Sequence, residues 1–178
     1  MPVPINFKFN IVCGEEKRLL VLRETIGESP QHIILKLLTY LLFFNDNLQV
    51  ETTAFQHYKP DFVKFDEEQN WKVRKWIDCG VIDDKKLLKI SKHNRQAEIY
   101  IFKNSKDSAQ SLKDKIGKKA SNTFNIRYCV FNKGELKIIQ DLMLGRNGII
   151  IENCPNIRNG YLNLIFNNEK IEIKYDYF

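Results

Sequence analysis

Between Asp83 and Leu142 the chain switches period four times, and this alternation constrains the fold more than any other feature. A charged segment with helical spacing opens at Asp83 or Asp84, each able to cap it. It is followed by the strand pattern AEIYIF, the helical SAQSLKDKIGKKAS, the strand FNIRYCVF and the helical GELKIIQDLML. Strands separated by helices cannot be joined by tight turns, so they predict parallel β-α-β pairing and an α/β class.

Upstream the pattern changes to hairpins. INFKFNIV and RLLVLRET alternate apolar and polar residues around Cys13, Gly14, Glu15 and Glu16, predicting an opening β-hairpin. Ser29 followed by Pro30 starts a helix, with the hydroxyl as N-cap and the proline preorganised at the first position. Apolar residues recur from Ile33 to Leu42, and the helix ends near FFNDN. This run is interrupted by Lys36 and is far shorter than the ~20 residues a membrane helix needs, so it reads as a core helix and no membrane partner is expected. DFVKFD and WKVRKWIDCG form a second hairpin around EEQN. GIIIEN, GYLNLIF and KIEIKYDYF, the last two joined by an Asn167-Asn168 turn, read as three closing strands.

With 43% hydrophobic residues and no linker or low-complexity tract, residues 1–178 read as one domain able to bury a core. The net charge of +6 favours an anionic partner, nucleic acid among the candidates, without naming one, and a protein partner is left unspecified. Cys13, Cys79, Cys129 and Cys154 contain no CxxC pair and only three histidines accompany them, which excludes a zinc-ligand spacing. Isolated thiols without a secretory leader point to a reducing cytoplasm and free cysteines.

The middle hairpin carries the candidate chemistry. A turn between Gln69 and Asn70 places Asp61 directly opposite Asp78, on one face, with Cβ atoms ~4.5 to 5.5 Å apart. Two carboxylates that close repel, and a divalent cation resolves the conflict. Oxygen ligands suit Mg²⁺ or Mn²⁺. The alternative is a pair of solvent-exposed strand-end acids matched with Lys72, Arg74 or Lys75. A register slip of one residue would separate the two acids onto opposite faces.

Pro60-Asp61, the hairpin, and Asp78 at the end of WID resemble the PD-(D/E)XK nuclease signature, in which two acids on adjacent strands hold the metal. More specifically, ESPQHIILKLLTYLLFFNDNLQV and the segment from Pro60-Asp61 through WIDCGVIDDKKLLKIS resemble the YaeQ family of bacterial proteins, from about residue 5 to beyond 150. That resemblance implies a restriction-endonuclease-like mixed β-sheet core flanked by helices, with additional N- and C-terminal strands. It also implies a metal-dependent nuclease or, alternatively, a non-catalytic basic binding module. The signature lysine belongs two positions after the second acid, where this chain has Gly80. In the wider superfamily the lysine can move to a neighbouring helix, which nominates Lys89 and, one turn earlier, Lys86. These two equally suit the solvated face of an amphipathic helix. Glu28 is an outer metal ligand on this reading, or an acid favouring the helix N-terminus. His32 and His93 read as helix-end capping or surface residues rather than proton carriers, and Trp71 and Trp76 as core aromatics rather than base-stacking platforms.

Overall fold

The computed structural model describes residues 5–55, 57–69 and 71–178. The opening hairpin forms as its alternation predicts, from β1 (Asn6–Cys13) and β2 (Glu16–Arg23), with Gly14 taking the positive φ of +59° that closes the turn. Ser29 caps α1 (Pro30–Leu42), accepting a hydrogen bond from the His32 N–H. Every residue of α1 from Ile33 onward is buried, including Lys36 and Thr39. A helix buried on all sides must be covered on all sides, and α1 lies between two sheets.

β3 (Gln49–Val50), β4 (Phe62–Phe65) and β5 (Val73–Cys79) are antiparallel. The chain then runs through α2 (Asp84–His93), β6 (Glu98–Lys103), α3 (Lys106–Lys119), β7 (Ile126–Val130) and α4 (Lys133–Leu142). Pairing of β5 with β6 and of β6 with β7 is parallel, as the alternation requires. Beyond α4 come β8 (Arg146–Ile151), β9 (Tyr161–Phe166), β10 (Glu169–Lys174) and β11 (Asp176–Tyr177). Asn167 and Asn168, both at positive φ, make the turn between β9 and β10.

The strands divide into two mixed sheets, ordered β10-β9-β8-β1-β2 and β11-β7-β6-β5-β4-β3. One core joins α1 and α4 to the inner faces of both sheets; a second fills the space between the six-stranded sheet and α2 and α3. The layers are therefore sheet, helices, sheet, helices, an α/β fold with two mixed sheets flanked by four helices. The sequence expectation needs one change here. KIEIKYDYF is not one strand, because the chain leaves β10 at Tyr175 and crosses to the other sheet, where Asp176 and Tyr177 pair with β7. Tyr175 is buried at the crossing and donates its hydroxyl to the Asn156 carbonyl.

The hairpin that sets the site has its expected register near the base. Phe62 lies opposite Ile77, Val63 opposite Trp76 and Lys64 opposite Lys75. The route to that register differs from the one the sequence suggests. Phe65 pairs with Val73, leaving Arg74 as an extra residue in a β-bulge. Asp66 organises the loop by accepting from the Glu68 and Gln69 N–H groups, at 2.9 and 3.0 Å. Asn70, one half of the expected turn pair, lies outside the described residues.

Candidate functional site

Strand alternation sorts the side chains at the end of β5. Ile77 and Cys79 pack in the core that contains α1, and Trp76 packs in the core against α2 and α3. Asp78 shares the Trp76 side and accepts a hydrogen bond from the indole Nε1 at 2.8 Å. Asp61, one step before β4, accepts from the Cys79 N–H at 2.7 Å through Oδ2. Asp61 turns its other oxygen toward Lys36 on α1 and Asp78 stays on the α2 side, so the two carboxylates diverge instead of sharing the one face expected from the register.

The cation facing Asp61 is Lys36. Its ammonium lies 3.1 Å from Asp61 Oδ1, 3.0 Å from Glu28 Oε1 and 3.5 Å from Glu51 Oε1. Burial alone would lower its pKa, but the Asp61 charge and hydrogen bonds to Glu28 and Asp61 outweigh that and hold it charged above the ordinary lysine range. Glu28 is placed by Thr25, whose N–H and hydroxyl both donate to Oε2 at 3.0 Å. Burial works against the charged form of Glu28, yet these bonds and Lys36 hold its pKa below the usual carboxylate range. His32 Nε2 lies 3.1 Å from Glu28 Oε1. Desolvation lowers its pKa, only partly offset by Asp61, so the neutral imidazole is favoured.

Asp78 is in a different situation. It is 9% exposed and forms no ion pair among the described residues. Burial, with the neighbouring Asp61 charge adding to it, raises its pKa despite the Trp76 hydrogen bond. On the adjacent strand Lys103 is its counterpart, 6% exposed and likewise without an ion pair among the described residues. Parallel pairing sets Asp78 beside Ile101 and Cys79 beside Phe102, so Lys103 comes level with Gly80, whose carbonyl accepts its ammonium. Burial lowers the Lys103 pKa, and Asp78 offsets this only in part.

The place two residues after Asp78 is closed to any side chain. Gly80 has φ +83°, and a Cβ there would sit 2.8 Å from both Cε1 and Nδ1 of His32. Gly80→Ala is therefore expected to cost roughly 2 kcal/mol or more, from the left-handed backbone plus the displaced imidazole, read as a lower denaturation midpoint at unchanged m-value. On the adjacent strand Lys103 reaches the Gly80 carbonyl.

Of the residues nominated from sequence, the structure brings Asp61, Asp78 and Glu28 to one end of the six-stranded sheet. Lys86 is half-buried, its ammonium 5.4 Å from the centre of the Tyr58 ring, and its charge opposes the rise in the Asp78 pKa. Lys89 is exposed on the outer face of α2. His93 stacks on Phe55 at 3.8 Å, and Trp76 is fully buried as expected of a core aromatic. Trp71 is not: it is 75% exposed. Lys36 and Lys103 were missed. Glu28, His32 and Lys36 recur every fourth residue, a one-face helical signal present in the sequence. Lys103 carries no such signal, because no turn fixes the register between parallel strands.

Among the described residues no group of three or more His, Cys, Asp or Glu side chains is gathered as a metal cage. Asp78, without a cationic partner, is the oxygen donor left open to a hard ion that keeps most of its water, as Mg²⁺ does, while both oxygens of Asp61 are already engaged, by Lys36 and by the Cys79 N–H. The four thiols are free, Cys79 and Cys129 buried, Cys13 half-buried and Cys154 exposed. No helix among the described residues is long and apolar enough to cross a membrane.

Fold and site together define an α/β protein of two mixed sheets with a buried cluster of opposed charges at the ends of its central strands. Two crystal structures share that architecture. The YaeQ protein from Xanthomonas axonopodis pv. citri is 14% identical, with 98% of each chain covered and a TM-score of 0.73. The YaeQ protein from Pseudomonas syringae is 16% identical, covering 98% of this chain and 94% of its own, also at 0.73. The family model described as YaeQ protein matches residues 24–174, and the chain belongs to the YaeQ family. No curated protein matches it.

Proposed function

We propose that this chain is a metal-dependent phosphodiesterase acting on nucleic acid, a nuclease of the PD-(D/E)XK class. One observation carries the reading: Asp78 and Lys103 are opposite charges buried on adjacent strands without an ion pair. Burying either charge alone costs free energy, and a direct pair would lower that cost. A ligand with a positive part for Asp78 and an anionic part for Lys103 does the same. A divalent cation on a phosphate diester has both parts.

Asp78 and Asp61 would hold Mg²⁺ or Mn²⁺, which when bound supplies a Lewis acid for phosphoryl oxygens and a more acidic water. Lys103, fixed by the Gly80 carbonyl, meets a phosphate oxygen and neutralises charge that grows during attack. Lys36 keeps Asp61 and Glu28 ionised and in place. His32, neutral and against Gly80, is positioned to take a proton at its free nitrogen. Lys86 and Lys89 remain the alternative lysines on the α2 side.

A second reading, a basic binding module without catalysis, is favoured by a different observation. Lys36 already neutralises Asp61 and Glu28, so those two acids do not require a metal.

Metal linkage separates the two. Wild type is expected to gain melting temperature progressively with Mg²⁺ or Mn²⁺, while Asp78→Asn, which keeps size and removes charge, does not. Cleavage of a panel of single- and double-stranded DNA and RNA should follow the same pattern. A wild type that neither responds to metal nor cuts any of these substrates sinks the nuclease reading.

A further inference from the structure

The opposite end of the six-stranded sheet carries a second constellation, roughly 20 Å from Asp78 along β5. Two cavities of about 340 and 360 Å³ lie side by side across the starts of β5, β6 and β7, and Arg95 lines both. Neither is lined by an Asp or Glu. Lys72 in the first and Lys92 in the second, with Arg95 between them, form no ion pair among the described residues. An aromatic ring marks each cavity: Trp71 is 75% exposed and Phe124 is 74% exposed.

Each feature alone has an ordinary explanation. Together they satisfy the two requirements of a single-strand site, a positive groove that tracks a backbone and aromatic faces on which bases stack. Trp71 and Phe124 precede β5 and β7, with one strand between, so their strand origins lie roughly 10 Å apart. Duplex bases have no free faces to offer, and an acidic peptide would use the cations and leave the rings bare.

We propose that this groove binds single-stranded nucleic acid, with bases on Trp71 and Phe124 and phosphates on Lys72, Arg95 and Lys92. The site is independent of the catalytic reading, since none of its residues touches Asp61, Asp78 or Lys103.

Tryptophan fluorescence titration in metal-free buffer containing a chelator tests it, because Trp76 is fully buried and any quenching belongs to Trp71. Deoxythymidine and uridine octamers are the probes, a duplex of equal charge and polyglutamate the competitors. The expected result is quenching by at least one octamer, the better of the two identifying the sugar, with both competitors weaker. Trp71→Ala, followed by anisotropy of a labelled octamer, and Phe124→Ala should each weaken binding roughly five- to hundredfold. Arg95→Glu should weaken it and flatten the salt dependence by about one phosphate contact. Asp78→Asn should bind like wild type. The proposal is overturned if Trp71 is not quenched, if duplex or polyglutamate competes as well as the octamers, if the aromatic variants bind unchanged, or if Asp78→Asn abolishes binding.

Discussion

Replacing Lys36 by methionine is expected to destabilise the fold by about 3–5 kcal/mol at pH 7, the range for removing one partner of a buried ion pair. For a chain of this size that corresponds to a melting temperature lower by roughly 10 °C. The methionine fills the stem of the lysine in α1, so the loss is not a cavity effect. Glu28, with a side chain 8% exposed, and Asp61 keep their burial and lose the ammonium that neutralises them. The sign of the pH dependence follows. In wild type the folded-state pKa of Glu28 is depressed, so its stabilisation is present above the unfolded carboxyl pKa and is lost as pH falls through the folded one. Without Lys36 burial dominates and the folded pKa moves up, so the variant loses stability as pH rises through the carboxylate range. The gap between the two proteins should be widest at neutral pH and shrink toward pH 4. Glu28→Gln added to Lys36→Met should recover part of the loss, a coupling that a double-mutant cycle measures. Equal stabilities at pH 7 would mean that the ion cluster contributes nothing to the fold.

The same cluster shows what a sequence exposes and what it hides. Local signals transferred well. Ser29-Pro30 and Asp83 cap the helices they were expected to cap, and the Asn167-Asn168 turn forms with both residues at positive φ. The register of Phe62 and Val63 against Ile77 and Trp76 also came through, although the Arg74 bulge that produces it leaves no clear mark in the sequence. Side-chain environment transferred less well. Lys36 reads only as an interruption of an apolar run, but three acids from separate segments surround it. Trp71 and Trp76 lie five residues apart and look alike in sequence; only the pairing of β5 places one in the core and the other in solvent. Lys103 follows the strand pattern AEIYIF with no signal of its own, and its bond to the Gly80 carbonyl depends on parallel alignment.

That alignment makes Lys103→Met the most informative change for catalysis. On the proposed nuclease reading, cleavage should fall by about 10²- to 10⁴-fold, the range for losing a group that stabilises transition-state charge or moves a proton. The melting temperature at pH 7 should stay within about 3 °C of wild type. Two opposing effects make the stability change small. The variant loses a hydrogen bond to the Gly80 carbonyl, worth about 1 kcal/mol, and removes a buried charge that burial disfavours. Because the folded-state pKa of Lys103 lies below its unfolded value, its charged form costs stability below the folded pKa. That cost disappears as pH rises through the unfolded one. Wild type should therefore gain on the variant between neutral and alkaline pH, a trend that melts across that range will reveal. Lys86→Met and Lys89→Met are the controls on α2. A cleaving Lys103→Met protein, beside a Lys86 or Lys89 variant that does not cleave, would return the catalytic lysine to the helix. Loss confined to Lys103 would place it on the strand, level with the position that His32 closes at Gly80.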